Sequence, residues 1–442
     1  MNSAQELYKS RKRTLDQALE LIQSNDFIIS ALGGGEPLEI LGQLHTLADR
    51  GVTGCDITNC LPMGDYEHIK NPQYKDALFV NSWFYGAQMR RAATQENTAF
   101  VPQHLHLAFK KRNFARDGRR LVLLASCSAM DEHGYLSFSL GTTYEREIVD
   151  TGAVVIVEVN PNLPRTFGDT LIHVSEIDAL VEVKYPVASL PEPEFSDKDS
   201  VIGAYIAELV EDGSTIQLGI GGIPNAVAAA LRCKKNLGIH TEMFTDGMVD
   251  LIQAGAVDNS RKTLYRHQSV ATFALGTQRL YDFLDNNPSV MFKKGSWTND
   301  PYVIGQNHKM VSINTTLEVD FFGQCASEAI GPVQFSGTGG QTDTAVGAQN
   351  SEGGKSVIAL YSTAGVKDKN GERQTVSKIS PLLKPGSIVS LSRNDVDYVV
   401  TEYGVASLRG RSLKERAERL ITIAHPDFRR ELLLQAQKMM LL

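Results

Sequence analysis

The sequence predicts a two-domain α/β protein in which both domains are open, mainly parallel sheets flanked by helices. Three observations carry this. Strand-length apolar runs at 27–32, 54–60, 121–127 and 153–159 alternate with helical stretches, the signature of βαβ units. At 442 residues the chain exceeds one ordinary core, so two domains are expected. One order of features also occurs twice: strand 27–32, Gly33-Gly34-Gly35-Glu36-Pro37 and helix 38–48, then strand 214–220, Gly221-Gly222-Ile223-Pro224 and an Ala-rich helix 225–231. The repetition reads as an internal duplication with one copy in each half.

Taken in order, residues 3–24 are expected to form an amphipathic helix with Leu7, Leu15, Ala18, Leu19 and Ile22 on its apolar side. Asp131-Glu132-His133-Gly134-Tyr135 is a polar turn, and the loop after strand 153–159 carries two prolines. Arg165 and His173 in that region could face a phosphate, although solvated side chains are the commoner outcome. Residues 186–199 are rich in proline and acidic residues and read as an extended connector between an N-terminal domain, 1–185, and a C-terminal domain, 200–442. Ser200 is expected to cap the helix that follows, which Gly213 closes. Further strands are expected at 311–319, 357–361, 389–391 and 398–401. Asp368-Lys369-Asn370-Gly371 is a hairpin-turn signal, and the Arg/Glu-rich helix 412–421 presents a solvated face.

Composition excludes several classes. A formal net charge of -7, with no long basic run and no zinc or RNA-binding signature, gives no footprint for nucleic acid. No apolar run is long enough to cross a bilayer. The polar N-terminus carries no export signal, so a soluble, cytoplasmic protein is expected. The five cysteines, Cys55, Cys60, Cys127, Cys233 and Cys325, are odd in number and suit a reducing compartment. Cys55 and Cys60 lack a second pair, and His104 and His106 lack a third ligand, so no metal site is expected.

The chemistry is expected around residues 237–247. Ile239, Thr241 and Met243 fall on one face of an extended chain, and His240, Glu242 and Phe244 on the other. Thr245 and Asp246 can cap the helix that follows. Glu242 is thereby placed near the C-terminal end of a strand, where open α/β sheets bind ligands. A salt-bridged or solvated glutamate is the ordinary alternative. Upstream, Gly219, Gly221, Gly222 and Pro224 form a strand–glycine–helix turn that offers backbone N–H groups to an anion or a developing oxyanion. Adjacent parallel strands would bring that turn beside Glu242. A second cluster, Ser336-Gly337-Thr338-Gly339-Gly340-Gln341, is too glycine-dense for a strand and reads as a loop whose backbone approaches a ligand.

These motifs occur in the order found in a known family. Residues 217–224, His240-Thr241-Glu242 with Asp246-Gly247, residues 336–341, and Thr401-Glu402-Tyr403-Gly404-Val405-Ala406 through His425-Pro426-Asp427-Phe428 closely resemble the acetyl-CoA hydrolase/transferase family. In length the chain is similar to its 4-hydroxybutyrate and butyrate CoA-transferases. The resemblance implies two domains of the class I CoA-transferase fold and a glutamate nucleophile, Glu242 by motif position. It further implies acyl-CoA and a carboxylic acid as substrates, no permanently bound cofactor, and a homodimer or higher homo-oligomer. Gly219, Gly221, Gly222, Pro224, Gly337, Gly339 and Gly340 become candidate oxyanion or CoA contacts. Asn314 is a candidate for the substrate carboxylate, or else a strand-end cap, and Glu402 a supporting or structural ion-pair residue. Ser327-Glu328-Ala329-Ile330-Gly331 superficially resembles the glutamate motif of two-subunit class I transferases, which makes Glu328 a rival nucleophile.

The expected reaction moves CoA between two carboxylic acids through a glutamyl-CoA thioester, and a carboxylate needs no general base for its attack. Two alternatives remain open in the sequence: an acyl-CoA hydrolase that admits water to the same thioester, and a non-catalytic CoA-binding protein.

Overall fold

The computed structural model describes residues 3–94, 96–367 and 371–442. Packing contacts divide the chain into two units: Met1–Glu192 with Glu242–Asp246 and Gln268–Thr298, and Pro193–Thr241 with Gly247–His267 and Asn299–Leu442. The first division falls at Glu192–Pro193, inside the proline-rich segment. The second places Glu242–Asp246, expected in the C-terminal domain, within the first unit.

In the first unit Phe27, Ile28 and Ile29 are fully buried, because their strand, Phe27–Ser30, has a parallel neighbour on each side. A parallel strand buried on both faces reads as a continuous apolar run rather than an alternating one. The complete sheet has seven parallel strands in the order Ala179–Glu182, Val154–Val159, Leu121–Cys127, Phe27–Ser30, Cys55–Thr58, Leu78–Ser82, Thr98–Phe100. Chain order reverses between Phe27–Ser30 and Leu121–Cys127, which makes this the switch point of the sheet. Two core clusters cover its two faces. One gathers Phe27, Ile29, Leu123, Trp83 and Phe138, the other Ile28, Ile40, Leu41, Ile57 and Met89.

The second unit holds a six-stranded sheet ordered Gly238–Ile239, Thr215–Leu218, Met310–Thr315, Lys355–Ala359, Tyr398–Thr401, Gly404–Ser407, parallel except for the last pair. Its switch point lies between Thr215–Leu218 and Met310–Thr315. In both units the strand that carries the glycine turn borders the switch point.

Several boundaries differ from the expected ones, each for a local reason. The N-terminal helix is two helices, Ser3–Arg11 and Leu15–Leu19, because Thr14 forms a capping box with Gln17 and restarts the chain. The helix after the connector begins at Asp197, capped by Ser196 rather than Ser200. Residues 311–319 break into Met310–Thr315 and Glu318–Asp320. Residues 389–391 form no strand; Leu391 makes only an isolated bridge to Cys325. Asp368, Lys369 and Asn370, expected in a hairpin turn, lie outside the described residues, while the flanking strands Thr363–Lys367 and Arg373–Ser377 pair antiparallel.

The first unit buries carboxyl groups at the ends of its strands. Glu158 accepts the Ile40 N–H at 2.6 Å and the Tyr185 hydroxyl, which ties the strand Val154–Val159 to the first turn of the helix Leu38–Gln43. Burial pushes its pKa up to about 7. Glu36 accepts the Met63 N–H at 2.7 Å and the Tyr66 hydroxyl at 2.9 Å. Burial outweighs these bonds and pushes its pKa up to about 8.

The Glu36 shift makes stability pH-dependent. The unfolded chain releases this proton near the ordinary 4.5, the folded chain only near 8. Between those values the folded state holds the extra proton, so stability falls as pH rises, by about 1.4 kcal/mol per pH unit for one such group. Glu36→Gln removes that contribution. Urea unfolding midpoints from pH 5 to 8 should therefore fall less steeply in the variant than in the wild type, and parallel profiles would refute the assignment.

Candidate functional site

Glu242 occupies a bend between two two-residue strands rather than the end of one strand. Gly238–Ile239 pairs with Thr215–Leu218, and Met243–Phe244 pairs with Phe273–Ala274. The alternating pattern of 237–244 looked like one strand because both pieces are extended; their partners lie in different sheets. The carbonyl of Glu242 accepts the N–H groups of Thr272 and Phe273 at 2.9 and 3.1 Å, so the backbone that bears the carboxylate is held at this point.

The surroundings of the segment in the first unit are apolar. Met243, Phe273, Leu275 and Cys60 belong to one buried cluster, with Leu61 and Met63 packed against it. Burial pushes the Cys60 thiol up, and the nearby carboxylates of Glu242, Glu36 and Glu145 push it further. The glycine turn of this unit supports the same region. A Cβ at Gly34 would come within 2.5 Å of the Leu140 side chain, and the Leu140 carbonyl accepts the Ala274 N–H at 2.7 Å beside the Glu242 segment. Asp246 is the first residue of its helix, Asp246–Gln253. Its carboxylate accepts the N–H and hydroxyl of Thr277 at 2.9 and 2.6 Å.

On the other side of Glu242 in sequence, Ile239 is held at both backbone groups. Asn259 Oδ1 accepts its N–H at 2.9 Å and Lys262 Nζ donates to its carbonyl at 2.8 Å. Burial pushes the Lys262 pKa down to about 7. Neither residue was singled out from the sequence, because Asn259-Ser260-Arg261-Lys262 reads as an ordinary polar loop.

The second unit gathers the other candidates at the carboxyl ends of its central strands. Gly221 caps the helix Gly222–Ala230 with φ +116° and ψ −176°, a region essentially reserved to glycine. Pro224 is the third residue of that helix, where an absent N–H costs no helical bond. Among the described residues, the N–H groups of Gly221, Gly222 and Ile223 meet no protein acceptor, and neither do those of Gly337, Thr338, Gly339 and Gly340. Buried backbone donors rarely go unpaired. Unpaired N–H groups at a helix start are donors of the kind that can meet a ligand's oxygens.

One amide network joins these turns. Gln217 Oε1 accepts from Ser312 Oγ at 3.0 Å and from the Ile313 N–H at 3.2 Å. Asn314 Nδ2 lies 2.9 Å from Ser312 Oγ, 3.1 Å from Thr344 Oγ1 and 3.3 Å from Gln217 Oε1. Gln341 Nε2 donates to the Thr315 carbonyl at 2.7 Å. The first turn of the helix Gln341–Asn350 is thereby fastened to the two strands that flank the switch point. Asn314 thus spends its amide within the network and ties strand to helix, closer to the strand-end role than to a free carboxylate clamp.

One carboxylate stands beside the first turn, and a second lies at the end of a neighbouring strand. Asp199, buried, accepts from Tyr361 Oη at 2.7 Å and from the N–H and hydroxyl of Ser196 at 2.7 Å. Burial raises its pKa, but these hydrogen bonds outweigh it and hold the group below the ordinary carboxylate value. A Cβ on Gly222 would lie 3.0 Å from Asp199 Oδ2, so this turn faces a fixed negative charge on its inner side. Glu402 accepts the Ser362 N–H and hydroxyl, both at 2.8 Å, with Lys198 Nζ at 3.6 Å. These bonds tie it to the residues that follow the strand Lys355–Ala359. Arg165, weighed as a phosphate contact, is paired with Asp131 at 2.6 Å.

Comparison with known proteins places this geometry. Residues 1–191 match the acetyl-CoA hydrolase/transferase N-terminal domain and residues 276–436 the C-terminal domain of the same family. The chain belongs to the acetyl-CoA hydrolase/transferase family. It is 42% identical over 437 residues to a 4-hydroxybutyrate coenzyme A transferase of Clostridium kluyveri, covering 98% of this chain and 99% of that one. A succinyl-CoA:cyclohexane-1-carboxylate CoA transferase of Geobacter metallireducens is 49% identical over 361 residues, covering 81% and 80%. The crystal structure of RipA from Yersinia pestis superposes with a TM-score of 0.91 at 36% identity over the full length of both chains. The class I CoA-transferase fold read from the motifs is the fold observed.

The turn at Gly221 allows a test of backbone geometry alone. A Cβ at Gly221 would meet nothing within 4 Å, yet the residue's φ and ψ disfavour any side chain by about 1–3 kcal/mol. Gly221→Ala should redirect the free N–H groups and lower kcat by roughly 10²-fold, the usual size for losing one such donor. A kcat within threefold of wild type would mean that reaction does not use this turn.

Proposed function

We propose that the protein transfers CoA between a short-chain acyl-CoA, such as acetyl-CoA, and a carboxylic acid such as 4-hydroxybutyrate or butyrate, through a thioester on Glu242. The observation that carries this reading is the Glu242 segment itself. The carboxylate sits at the nucleophile position of the family motif, on backbone pinned by Thr272 and Phe273, in apolar surroundings that suit a short uncharged acyl chain. The names of the full-length relatives support the substrate class.

Glu242 attacks the acyl-CoA carbonyl and expels CoA thiolate, leaving a mixed anhydride between Glu242 and the acyl group. The thiolate then attacks the glutamyl carbonyl, which frees the first acid and forms glutamyl-CoA. The second acid runs both steps in reverse. Held by its own tail, the thiolate acts at an effective concentration on the order of 10⁵ M in well-oriented cases. Each tetrahedral intermediate bears an oxyanion, and free N–H groups of glycine turns are donors of the required kind. CoA enters as a substrate, and the chain is read as needing no resident cofactor. We read the working form as a cytoplasmic homodimer or higher homo-oligomer.

The experiment is covalent trapping. Incubation with acetyl-CoA and no acceptor should load CoA on the protein, and borohydride should then reduce the thioester and inactivate the enzyme. Peptide mapping should place the change within residues 237–246, and acetate or 4-hydroxybutyrate added before the reductant should protect. Glu242→Ala should retain the fold and lose at least 90% of turnover. Absence of labelling, or a label elsewhere, would overturn the assignment. Sustained CoA release without an acceptor acid would instead identify the hydrolase reading.

A further inference from the structure

Glu328 carries a role that its motif disguised. Its side chain is 3% exposed and sits where the chain enters a two-strand hairpin, Ala329–Ile330 paired with Val333–Gln334. The chain leaves that hairpin straight into the second glycine turn. The backbone of Glu328 holds the exit: its carbonyl accepts the N–H groups of Phe335 and Ser336 at 2.7 and 2.9 Å. Its carboxylate holds the turn, because Thr338 Oγ1 donates to Glu328 Oε2 at 2.5 Å. The Thr338 carbonyl in turn accepts the Gln341 N–H at 3.4 Å, at the start of the helix Gln341–Asn350. Between these anchors lie Gly339, at φ +53°, and Gly340.

The anchor itself is fixed. The preceding residue, Ser327, donates its N–H to Ser390 Oγ at 3.1 Å and its hydroxyl to Thr316 Oγ1 at 2.9 Å. The Ser336 hydroxyl reaches back to the Ser327 carbonyl at 3.4 Å. A glycine-dense turn has more backbone freedom to lose than any other sequence. Here one ionisable side chain, through one hydroxyl, restrains it at its midpoint. A charged acceptor makes that bond shorter and stronger than a neutral one.

We propose that Glu328 is a positioning residue: through Thr338 its carboxylate holds the turn 336–340 so that the free N–H groups of Gly337, Gly339 and Gly340 are preorganised for the reacting carbonyl. This rests on the reading of that turn as a donor set. One oxygen of the Glu328 carboxylate is engaged by Thr338, which suits a positioning role better than that of a nucleophile.

Kinetics of Glu328→Ala, Glu328→Gln, Thr338→Val, Thr338→Ser and the double variant Glu328→Ala/Thr338→Val test this. Glu328→Ala and Thr338→Val should each lower kcat by roughly 10²-fold, with KM for acyl-CoA within about threefold of wild type. Glu328→Gln keeps an acceptor oxygen and should recover to within about tenfold of wild type, and Thr338→Ser should be close to wild type. The double variant should be no slower than the worse single variant, because both remove one interaction. Borohydride trapping in Glu328→Ala should still label residues 237–246. An unchanged kcat in both Glu328→Ala and Thr338→Val, multiplicative losses in the double variant, or a Glu328→Gln protein as inactive as Glu328→Ala would each overturn the proposal. If Glu328→Ala fails to fold, the Thr338 pair decides alone: Val must be slow and Ser fast. A wild-type label absent from residues 237–246 counts against the Glu242 assignment, whereas the coupling between Glu328 and Thr338 is read independently of it.

Discussion

The carboxyl ends of parallel strands leave backbone groups that the ladder cannot satisfy, and much of this protein is arranged around that fact. In the second unit the turn after Thr215–Leu218 and the turn 336–340 each keep N–H groups that meet no protein acceptor among the described residues. Such a surface persists only where something else over-determines it. Here that is the amide of Gln217, bonded to Ser312, Ile313 and Asn314. With Asn314 and Thr344 it fastens two strands and a helix start into one piece. Side chains carry the polar pairing so that the backbone donors stay available.

Charge is handled by the same economy. Glu36 and Glu158 are buried without a cationic partner, and burial raises both. Each serves as an acceptor for backbone N–H or tyrosine hydroxyl groups at a strand end. Asp199, by contrast, stays ionised beside the Gly222 turn through Ser196 and Tyr361. A fixed negative charge on the inner side of a donor turn weakens its hold on a full anion more than on a polarised carbonyl.

Much of the fold was legible in the chain. Apolar runs such as 121–127 and 154–157 announced buried parallel strands, because a strand covered on both faces needs no alternation. The strand–glycine–helix order that occurs twice in the sequence lies beside the switch point of each sheet. The boundaries that failed did so where a single side chain decided them: Thr14 restarting a helix, Ser196 capping one earlier than Ser200. Local capping competes within about a kcal/mol, too little to be ranked from sequence. The glycine turns and Glu242 stand out in the sequence because glycine density and a carboxylate in an apolar stretch are both costly. Asn259 and Lys262 do not, because a polar loop residue shows nothing of the backbone it will grip.

The sequence by itself determined the fold class, the family, the duplicated turns and the identity of the candidate nucleophile, since all of these depend on residue type and order along the chain. Tertiary structure alone decided that 237–244 is two strands rather than one, and that Glu242 packs with the first unit. It alone decided that Asn314 is spent in a network and that Glu328 braces a loop. Each of these depends on a partner far along the chain, such as Phe273 for Met243 or Gln217 for Asn314. A one-residue change of register would replace every such partner. Local pattern reports what a segment can pair with; only the packed chain selects which of those pairings is made.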